Sequence, residues 1–372
     1  MTEKGLADVV AAQTSVSDID GKLGKLWYVG YDIHDLAEYS TFEETIFLLH
    51  NHRLPNGEEL ERYTERLVEE RELEDFTQGL MPTFAEVSAP MSMLRTAISA
   101  SSAYDPDGWD HSAEGNERKA IRLTSRIATM IAAYHRIRSG REPVPPDPKL
   151  PHAANFLAML TDEEPDEEGA RALDICLILH ADHTMNASTF AARVVASTLS
   201  DMHSAITAAI AALKGPLHGG ANERVMEMLQ EIGEPEKADD HVRKLLGDGE
   251  RIMGFGHRVY KTEDPRATHL RRLSRELGER AGDTRWFEIS ERIEQAVMDE
   301  KGLFPNVDFY AASVYYYLGI PIDLFTTVFA ASRVAGWTAH VREQLEDNRL
   351  IRPESDYIGP RDQRYVPIEE RR

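Results

Sequence analysis

Four short stretches of the sequence place a titratable side chain where a helix is expected to begin or end. They are LHADHTMNAS (179–188), GPLHGGANE (215–223), MGFGHRVYKTEDPRA (253–267) and FPNVDFY (304–310). His218 and His257 each stand beside glycine, which lets a ligand approach the backbone closely, and histidine exchanges protons near neutral pH. A single histidine beside glycine is more often a structural cap or a surface residue, so no stretch identifies a site by itself.

Three arginines lie in settings that suit the binding of carboxylates. Arg266 follows Glu-Asp-Pro, Arg333 interrupts an apolar helical stretch, and Arg352 precedes a proline near the end of the chain. A guanidinium can bind a carboxylate through two parallel hydrogen bonds. Three such groups converging with histidines would suit a small acid with two carboxylates, although an arginine in an apolar helix more often pairs with an acid.

A metal site is the alternative interpretation of the histidines. His180 and His183 flank Asp182 with a spacing of three, and they could share a metal with His218. The spacing is not that of a zinc motif such as HExxH, and the lone Cys176 offers no set of thiolates. We expect no metal, and we expect Cys176 to be a buried, inert thiol.

The composition predicts an acidic globular protein. The 372 residues carry a net charge of −22, with only ten lysines against thirty-two arginines. This charge argues against nucleic-acid binding, which needs clustered cations, and an acidic, lysine-poor surface favours a halophilic protein. No apolar run approaches the roughly 18 residues of a membrane helix, and residues 1–10 lack the pattern of a secretory signal. We therefore expect a cytoplasmic protein without membrane contact.

The periodicity predicts a fold that is mainly α. Residues 17–32, SDIDGKLGKLWYVGYD, alternate polar and apolar side chains around an Asp-Gly pair, which predicts a small N-terminal β-hairpin. A helix is predicted next, where Ser40 with Glu43, or Thr41 with Glu44, has capping-box spacing. The pattern after it is helical almost throughout.

Two segments interrupt the helical pattern. Residues 140–151, GREPVPPDPKLP, cannot be helix interior and could be either a domain linker or a stiff loop. The residues after Asp347 contain three prolines and many charges, and they are too few to fold alone. They are expected to fray or to lie along a surface, such as that of a partner.

Taken together, these stretches resemble the citrate synthase family. The resemblance covers most of the chain, from residues 17–44 to RPES at 352–355, with the motifs in matching order and spacing. It implies a citrate synthase-like, two-domain helical fold with a small N-terminal β-hairpin. Residues 1–218 and 319–372 would form the large, dimer-forming domain, and residues 219–318 a smaller, mobile domain that binds CoA. Residues 140–151 would then be a loop inside the large domain.

The resemblance also implies an acyltransferase of the tricarboxylic acid cycle that condenses acetyl-CoA with oxaloacetate and water to citrate and CoA. Asp308 would remove a proton from the acetyl methyl group, and His218 would hydrogen-bond the thioester oxygen of the resulting enol. His257 would protonate the ketone of oxaloacetate as the new bond forms. Hydrolysis of the citryl thioester would complete the reaction without a metal or redox cofactor, since acetyl-CoA is a substrate.

The binding residues follow from the same resemblance. Oxaloacetate would be held by His183, Arg266, Arg333 and Arg352, the last from the partner subunit of a homodimer. CoA would be bound by Arg251, Ile252, Met253, Gly254 and Phe255, with Arg258, Lys261 and Lys301 as phosphate contacts. The chain lacks the extra N-terminal region of the larger bacterial members, so we expect a dimer and not a hexamer.

Two alternatives to citrate synthesis stay open at this point. A 2-methylcitrate synthase using propionyl-CoA would share every motif, because one methylene in an apolar pocket is worth only about 1–3 kcal/mol of discrimination. A catalytically idle acyl-CoA-binding homologue would be expected to lose Asp308 or a histidine, whereas all three catalytic positions are filled here.

Overall fold

The chain is built mainly of α-helices, as a computed structural model that describes residues 5, 6 and 9–371 shows. The strands are β1 (Ser17–Asp20), β2 (Lys25–Tyr28) and β3 (Tyr31–Asp32). The helices are α1 (Ile33–Tyr39), α2 (Phe42–Asn51), α3 (Gly57–Glu69), α4 (Asp75–Val87), α5 (Pro90–Ser101), α6 (Ala113–Arg138), α7 (His152–Thr161), α8 (Glu167–His180), α9 (Ala187–Ser197), α10 (Met202–Leu213), α11 (Ala221–Ile232), α12 (Ala238–Gly247), α13 (Pro265–Ala281), α14 (Arg285–Lys301), α15 (Val307–Tyr317) and α16 (Phe325–Glu346). The predicted fold class is confirmed. Part of the segment examined for a secretory signal, residues 1–4, 7 and 8, lies outside the described residues.

The predicted hairpin is part of a three-stranded antiparallel sheet in the order β1-β2-β3. Ser17 pairs with Tyr28 at one end of the first pair of strands. The turn into β3 places Val29 at φ 50° and Gly30 at φ 84°. A valine with positive φ is uncommon, so the sequence did not predict this turn or the two-residue strand after it.

Side-chain caps begin many of the helices. At the start of α2, the hydroxyl of Thr41 accepts the N–H of Glu44 at 3.2 Å, as one of the two predicted caps requires. Glu44 accepts a hydrogen bond from the Ser40 hydroxyl at 2.7 Å, so the capping box is not reciprocal. Residues that cap other helices with a side chain include Asp32, Asn56, Ser112, Asp166, Asn186, Asp201, Asp264 and Asn306.

The long helices α6 and α16 form the centre of the larger group of helices. Both are buried along most of their length, and α16 packs against α2, α6, α8, α9 and α10. A helix that is buried on nearly all sides makes a rigid support, because its neighbours fix it from every direction. Helix α16 carries Arg333, and its neighbours α8 and α9 flank the loop that carries His183.

Helices α11–α15 pack mainly on one another and contact the larger group through α1, α8 and α16. They fall within residues 219–318, but the boundaries of the two domains stay a prediction. Residues 140–151 form a loop between α6 and α7, and Arg71 donates hydrogen bonds to the carbonyls of Asp147 and Leu150 at 2.8 and 2.9 Å. None of the helices in the part of the chain that the structure describes is long and apolar enough to cross a membrane.

Candidate active site

The connection between α8 and α9 carries His183 and is fixed in place by the buried carboxylate of its neighbour Asp182. Asp182 accepts a hydrogen bond from the hydroxyl of Ser17 and lies 3.2 Å from Nε2 of His340. His183 is also buried, and this burial, together with the positive charge of Arg266, lowers its pKa well below the usual range. The His183 ring is therefore neutral at pH 7 and can offer one N–H donor.

His257 lies in the connection between α12 and α13, facing His183. Its Nδ1 accepts the backbone N–H groups of Val259 at 3.0 Å and Tyr260 at 3.2 Å, so the neutral ring carries its proton on Nε2. Burial, and then the charge of Arg266, lowers the pKa of His257 to about 4. The centres of the His183 and His257 rings are 5.1 Å apart. His257 can thus donate a hydrogen bond to an oxygen bound beside His183.

His218 lies in the connection between α10 and α11 and faces the first turn of α9. Its Nε2 is 3.3 Å from the backbone nitrogen of Ser188 and 2.8 Å from the hydroxyl of that residue. This hydroxyl is fixed by Asn186 at 2.6 Å and by Nε1 of Trp337 at 3.1 Å. Burial, followed by the charge of Arg333, lowers the pKa of His218 to about 4. With Nε2 accepting the Ser188 N–H, the neutral ring presents Nδ1 as a donor.

Asp308 occupies the first turn of α15, which Asn306 caps. Its side chain is half-buried, and among the residues of the described ranges none donates a hydrogen bond to its carboxylate. Withdrawal from water raises the pKa of Asp308 to about 6, while the charges of Arg266 and Arg333 oppose this rise. A carboxylate with such a pKa is ionised at pH 7 and is a stronger base than an exposed one.

The two buried arginines of the site have different hydrogen-bond partners. Arg266 donates from Nε and one terminal nitrogen to Asp264 at 2.9 and 2.7 Å. Arg333 donates from Nε to the carbonyl of His180 at 2.6 Å and lies over the ring of Phe329. Burial lowers the pKa of Arg333 to about 10, so the group stays charged at pH 7. Together they place positive charge beside the histidines, which suits an anionic ligand.

Arg352 is not brought into the site by its own chain. It is exposed and follows Ile351, whose N–H donates to the hydroxyl of Ser197 at 3.1 Å. Asn348 binds the carbonyl of the same serine at 3.1 Å. Ser197 ends α9, whereas Asn186 begins that helix at the site, about 16 Å away along the helix axis. The tail is therefore anchored at the end of α9 that points away from the histidines.

The predicted CoA segment, residues 251–255, lies beside the helix that carries Asp308. Phe255 forms an isolated β-bridge with Pro305, and the N–H of Asn306 donates to the carbonyl of Gly254 at 2.9 Å. Gly254 has φ +81°, and a Cβ there would lie 2.9 Å from side-chain atoms of α11 and α15. A residue other than glycine would therefore displace this backbone from the start of α15.

The other predicted CoA contacts divide into buried and exposed side chains. Ile252 is buried and Met253 half-buried, and both lie against the hydrophobic core. The basic side chains are all exposed and accessible to a phosphate: Arg251, Arg258, Lys261 and Lys301.

His180, one of the histidines that the metal interpretation requires, makes a hydrogen bond inside its own helix. Nδ1 of His180 lies 2.7 Å from the carbonyl of Cys176 in its own helix. Across residues 5, 6 and 9–371, no three His, Cys, Asp or Glu side chains are placed to share a metal. Cys176 is buried, and burial raises the pKa of its thiol, as expected for an inert cysteine.

Sequence reasoning missed three residues of the site. The ring of Tyr260 packs beside both facing histidines, with its centre 5.6 Å from that of His183 and 4.7 Å from that of His257, and its hydroxyl lies 3.3 Å from Nε2 of His183. Ser188 holds His218, and Asp264 pairs with Arg266. Only Asp264 had a recognisable signal, since an acid immediately before Pro-Arg suits a helix N-cap.

Comparisons with known proteins show the family to which the chain belongs. The family model described as "Citrate synthase, C-terminal domain" matches residues 5–354. The chain is 50% identical to the citrate synthase of Haloferax volcanii and 53% identical to citrate synthase 2 of Bacillus subtilis, each alignment covering 99% of both chains. A relative from Corynebacterium glutamicum, 42% identical over 99% of this chain and 98% of its own, is named 2-methylcitrate synthase 1.

A solved structure is similar over the whole chain. It is the ternary complex of carboxymethyl coenzyme A and oxaloacetate with citrate synthase from Thermoplasma acidophilum, with a TM-score of 0.94, 35% identity and complete coverage of both chains. The predicted resemblance is confirmed: the chain is an enzyme that belongs to the citrate synthase family.

Proposed function

We propose that the chain condenses acetyl-CoA with oxaloacetate and water to give citrate and CoA. The observation that carries this proposal is the arrangement of three neutral histidines around two buried arginines, with the carboxylate of Asp308 close enough to feel the charge of both arginines. The relatives named citrate synthase, and the similar structure that binds oxaloacetate and a CoA analogue, support the same reaction.

The first step is removal of a proton from the acetyl methyl group. Asp308 takes the proton, and the electron pair of the broken C–H bond moves onto the thioester oxygen, which gives an enolate whose oxygen receives a hydrogen bond from Nδ1 of His218. The raised pKa of Asp308 makes it a better acceptor for a weakly acidic C–H. The neutral His218, fixed by Ser188, stabilises the oxygen as negative charge develops there.

The second step forms the carbon–carbon bond. The enolate carbon attacks the ketone of oxaloacetate, and His257 gives its Nε2 proton to the ketone oxygen. The proton that Asp308 took from the methyl group is then released, and the neutral His257 ring is restored by exchange with water. His183, Arg266 and Arg333 hold the two carboxylates, together with Arg352 of the partner. Water then cleaves the citryl thioester and releases CoA. Each step is a proton transfer, an addition or a hydrolysis, so the proposal includes no metal or redox cofactor.

The CoA moiety is assigned to residues 251–255 and the exposed cations near them. Gly254 and Gly256 hold this backbone next to α15 through hydrogen bonds at 2.9 Å with Asn306 and Phe304. The thioester would thus be delivered to Asp308 by the same segment that binds the nucleotide. This assignment agrees with residues 219–318 as a smaller domain over the large one (1–218 and 319–372), which we also propose.

The acyl specificity is tested by the release of free CoA thiol in the presence of oxaloacetate. We expect kcat/KM for acetyl-CoA to exceed that for propionyl-CoA, although one methylene gives a ratio of only about 10- to 200-fold. A higher value with propionyl-CoA would assign the enzyme to 2-methylcitrate synthesis with its catalytic residues unchanged. No release of thiol from either substrate by folded protein would favour a non-catalytic acyl-CoA-binding homologue.

A homodimer with a shared site accounts for the position of Arg352. The residues after Asp347, which include Arg352, are anchored at the end of α9 that points away from the histidines. They carry three exposed apolar side chains, Tyr357, Ile358 and Tyr365. A closed dimer lets each tail reach the other subunit, so that each site is completed by the partner.

Mixing two inactive variants tests this sharing of residues. Arg352→Ala and Arg333→Ala are each expected to be nearly inactive. Equal amounts of the two variants, mixed and left to exchange subunits, should recover about one quarter of wild-type activity. The reason is that half of the dimers are hybrids and each hybrid has one intact site. Each variant incubated alone is the control. One variant is labelled with 15N so that hybrid dimers can be identified by mass. No recovery after exchange has been verified in this way would show that Arg352 does not act in the partner's site.

The charge composition supports adaptation to high salt. With a net charge of −22, self-repulsion destabilises the folded chain at low ionic strength, and salt screens it over about 3 Å at 1 M. Activity and melting temperature are expected to rise between 0.1 and about 2 M KCl. A flat or falling dependence would contradict this proposal. The cytoplasmic location and the place in the tricarboxylic acid cycle stay predictions.

A further inference from the structure

The turn between β1 and β2 is in close backbone contact with the loop that follows His257. The N–H of Lys261 donates to the carbonyl of Gly21 at 2.8 Å. A Cβ on Gly21 would meet the carbonyl oxygen of Val259 and lie 2.9 Å from its carbonyl carbon. Only a residue without a side chain lets these two backbones approach so closely.

A second glycine of the same turn makes a similar contact. A Cβ on Gly24 would lie 2.8 Å from Cγ2 of Thr262 and 2.9 Å from the carbonyl oxygen of Glu263. Gly24 also has φ +64°, a conformation that side chains rarely adopt. The turn therefore touches the His257 loop at two places, through Val259–Lys261 and through Thr262–Glu263.

Val259, which touches the turn, also helps to orient His257, and its neighbour Tyr260 contacts both histidines. Val259 and Tyr260 donate their backbone N–H groups to Nδ1 of His257, which leaves the proton of this ring on Nε2. The hydroxyl of Tyr260 reaches Nε2 of His183 at 3.3 Å. A shift of the loop away from the turn would thus change the direction of both rings at once.

We propose that Gly21 and Gly24 are positioning residues for the condensation. The turn holds residues 259–263 so that His257 and Tyr260 face the bound oxaloacetate. This inference rests on the proposed function. It concerns the oxaloacetate half of the site, because the CoA segment is held separately by the pairing of Phe255 with Pro305 and of Gly254 with Asn306.

The Gly21→Ala variant tests the contact directly. The added methyl group meets backbone atoms that cannot rotate away, so the loop must shift. Since a misplacement of about 1 Å can cost about 10²-fold in rate, kcat/KM for oxaloacetate should fall about 10²-fold. The KM for acetyl-CoA should stay within about twofold of wild type. Gly57→Ala is the matched control, because Gly57 has open space at its Cβ position and no positive φ.

A second pair of variants separates the effect of the steric contact on activity from the effect of backbone strain. Gly24→Ala and Gly30→Ala both place alanine at positive φ in the same small sheet, but Gly30 has nothing within 4 Å of its Cβ position. Gly24→Ala is expected to lose more activity toward oxaloacetate than Gly30→Ala. This pair decides the question if Gly21→Ala does not fold.

Calorimetric binding of oxaloacetate without acetyl-CoA distinguishes failure of this inference from failure of the proposed function. If wild type binds oxaloacetate but does not turn over, the proposed function fails, and weaker binding by Gly21→Ala than by Gly57→Ala still supports the inference. Equal kinetics and equal binding of Gly21→Ala and Gly57→Ala would overturn it. The inference is also overturned if Gly24→Ala and Gly30→Ala lose equal activity toward oxaloacetate, or if the wild-type protein binds no oxaloacetate.

Discussion

Asp308→Asn is expected to lower kcat by about 10²- to 10⁴-fold, the range of general acid–base catalysis, while the protein stays folded. The amide cannot accept the methyl proton, and no other carboxylate stands in for it in the proposed mechanism. The fold should not suffer, because burial makes the charged form of Asp308 unfavourable and raises its pKa to about 6. The measurement is CoA thiol release at saturating substrates, with melting temperature as the check on folding.

The control and the pH profile make this prediction specific. Asp239→Asn removes an acid from the first turn of α12, the same position in a helix, and should leave kcat unchanged. The base must be ionised, so wild-type activity should be present above pH 6 and fall as the pH drops through the pKa of Asp308, about 6. An Asp308→Asn variant with more than a tenth of wild-type kcat would exclude Asp308 as the base.

His257→Ala is expected to lower kcat by about 10²- to 10⁴-fold, because the ketone oxygen loses its proton donor. The effect on KM for oxaloacetate should be smaller, since Arg266 and Arg333 still bind the carboxylates. Steady-state kinetics with oxaloacetate as the varied substrate separates the two parameters.

An exposed histidine provides the control for this variant. His111 lies in the connection before α6, and His111→Ala should behave as wild type. If His257→Ala instead raised KM for oxaloacetate and left kcat intact, His257 would be a binding residue and not the proton donor.

The chemistry of the site was largely predictable because its residues stand in short, glycine-marked motifs. His218, His257 and Asp308 each lie where a helix begins or a loop turns, and the structure places them around Arg266 and Arg333. The sequence could not show that these side chains meet, because residues as far apart in the chain as His218 and Arg333 come together only through packing. The resemblance to a family supplied that information.

Contacts that depend on the exact path of the backbone were not predictable. Tyr260 is an ordinary aromatic residue in the sequence, and only the fold of its loop directs it to His183. The role of Gly21 depends on a neighbour almost 240 residues away, Val259. The third strand was missed because Val29 adopts a positive φ that its residue type disfavours.

The measurement that tests the central claim most directly is mass analysis of products from acetyl-CoA with a fully deuterated methyl group. We predict that oxaloacetate is required, that one free CoA thiol appears per turnover, and that the citrate formed keeps two of the three deuterons. One deuteron is lost to Asp308 and the other two remain on the new methylene. Release of acetate with all three deuterons would reveal a thioester hydrolase and contradict the account, as would the absence of citrate.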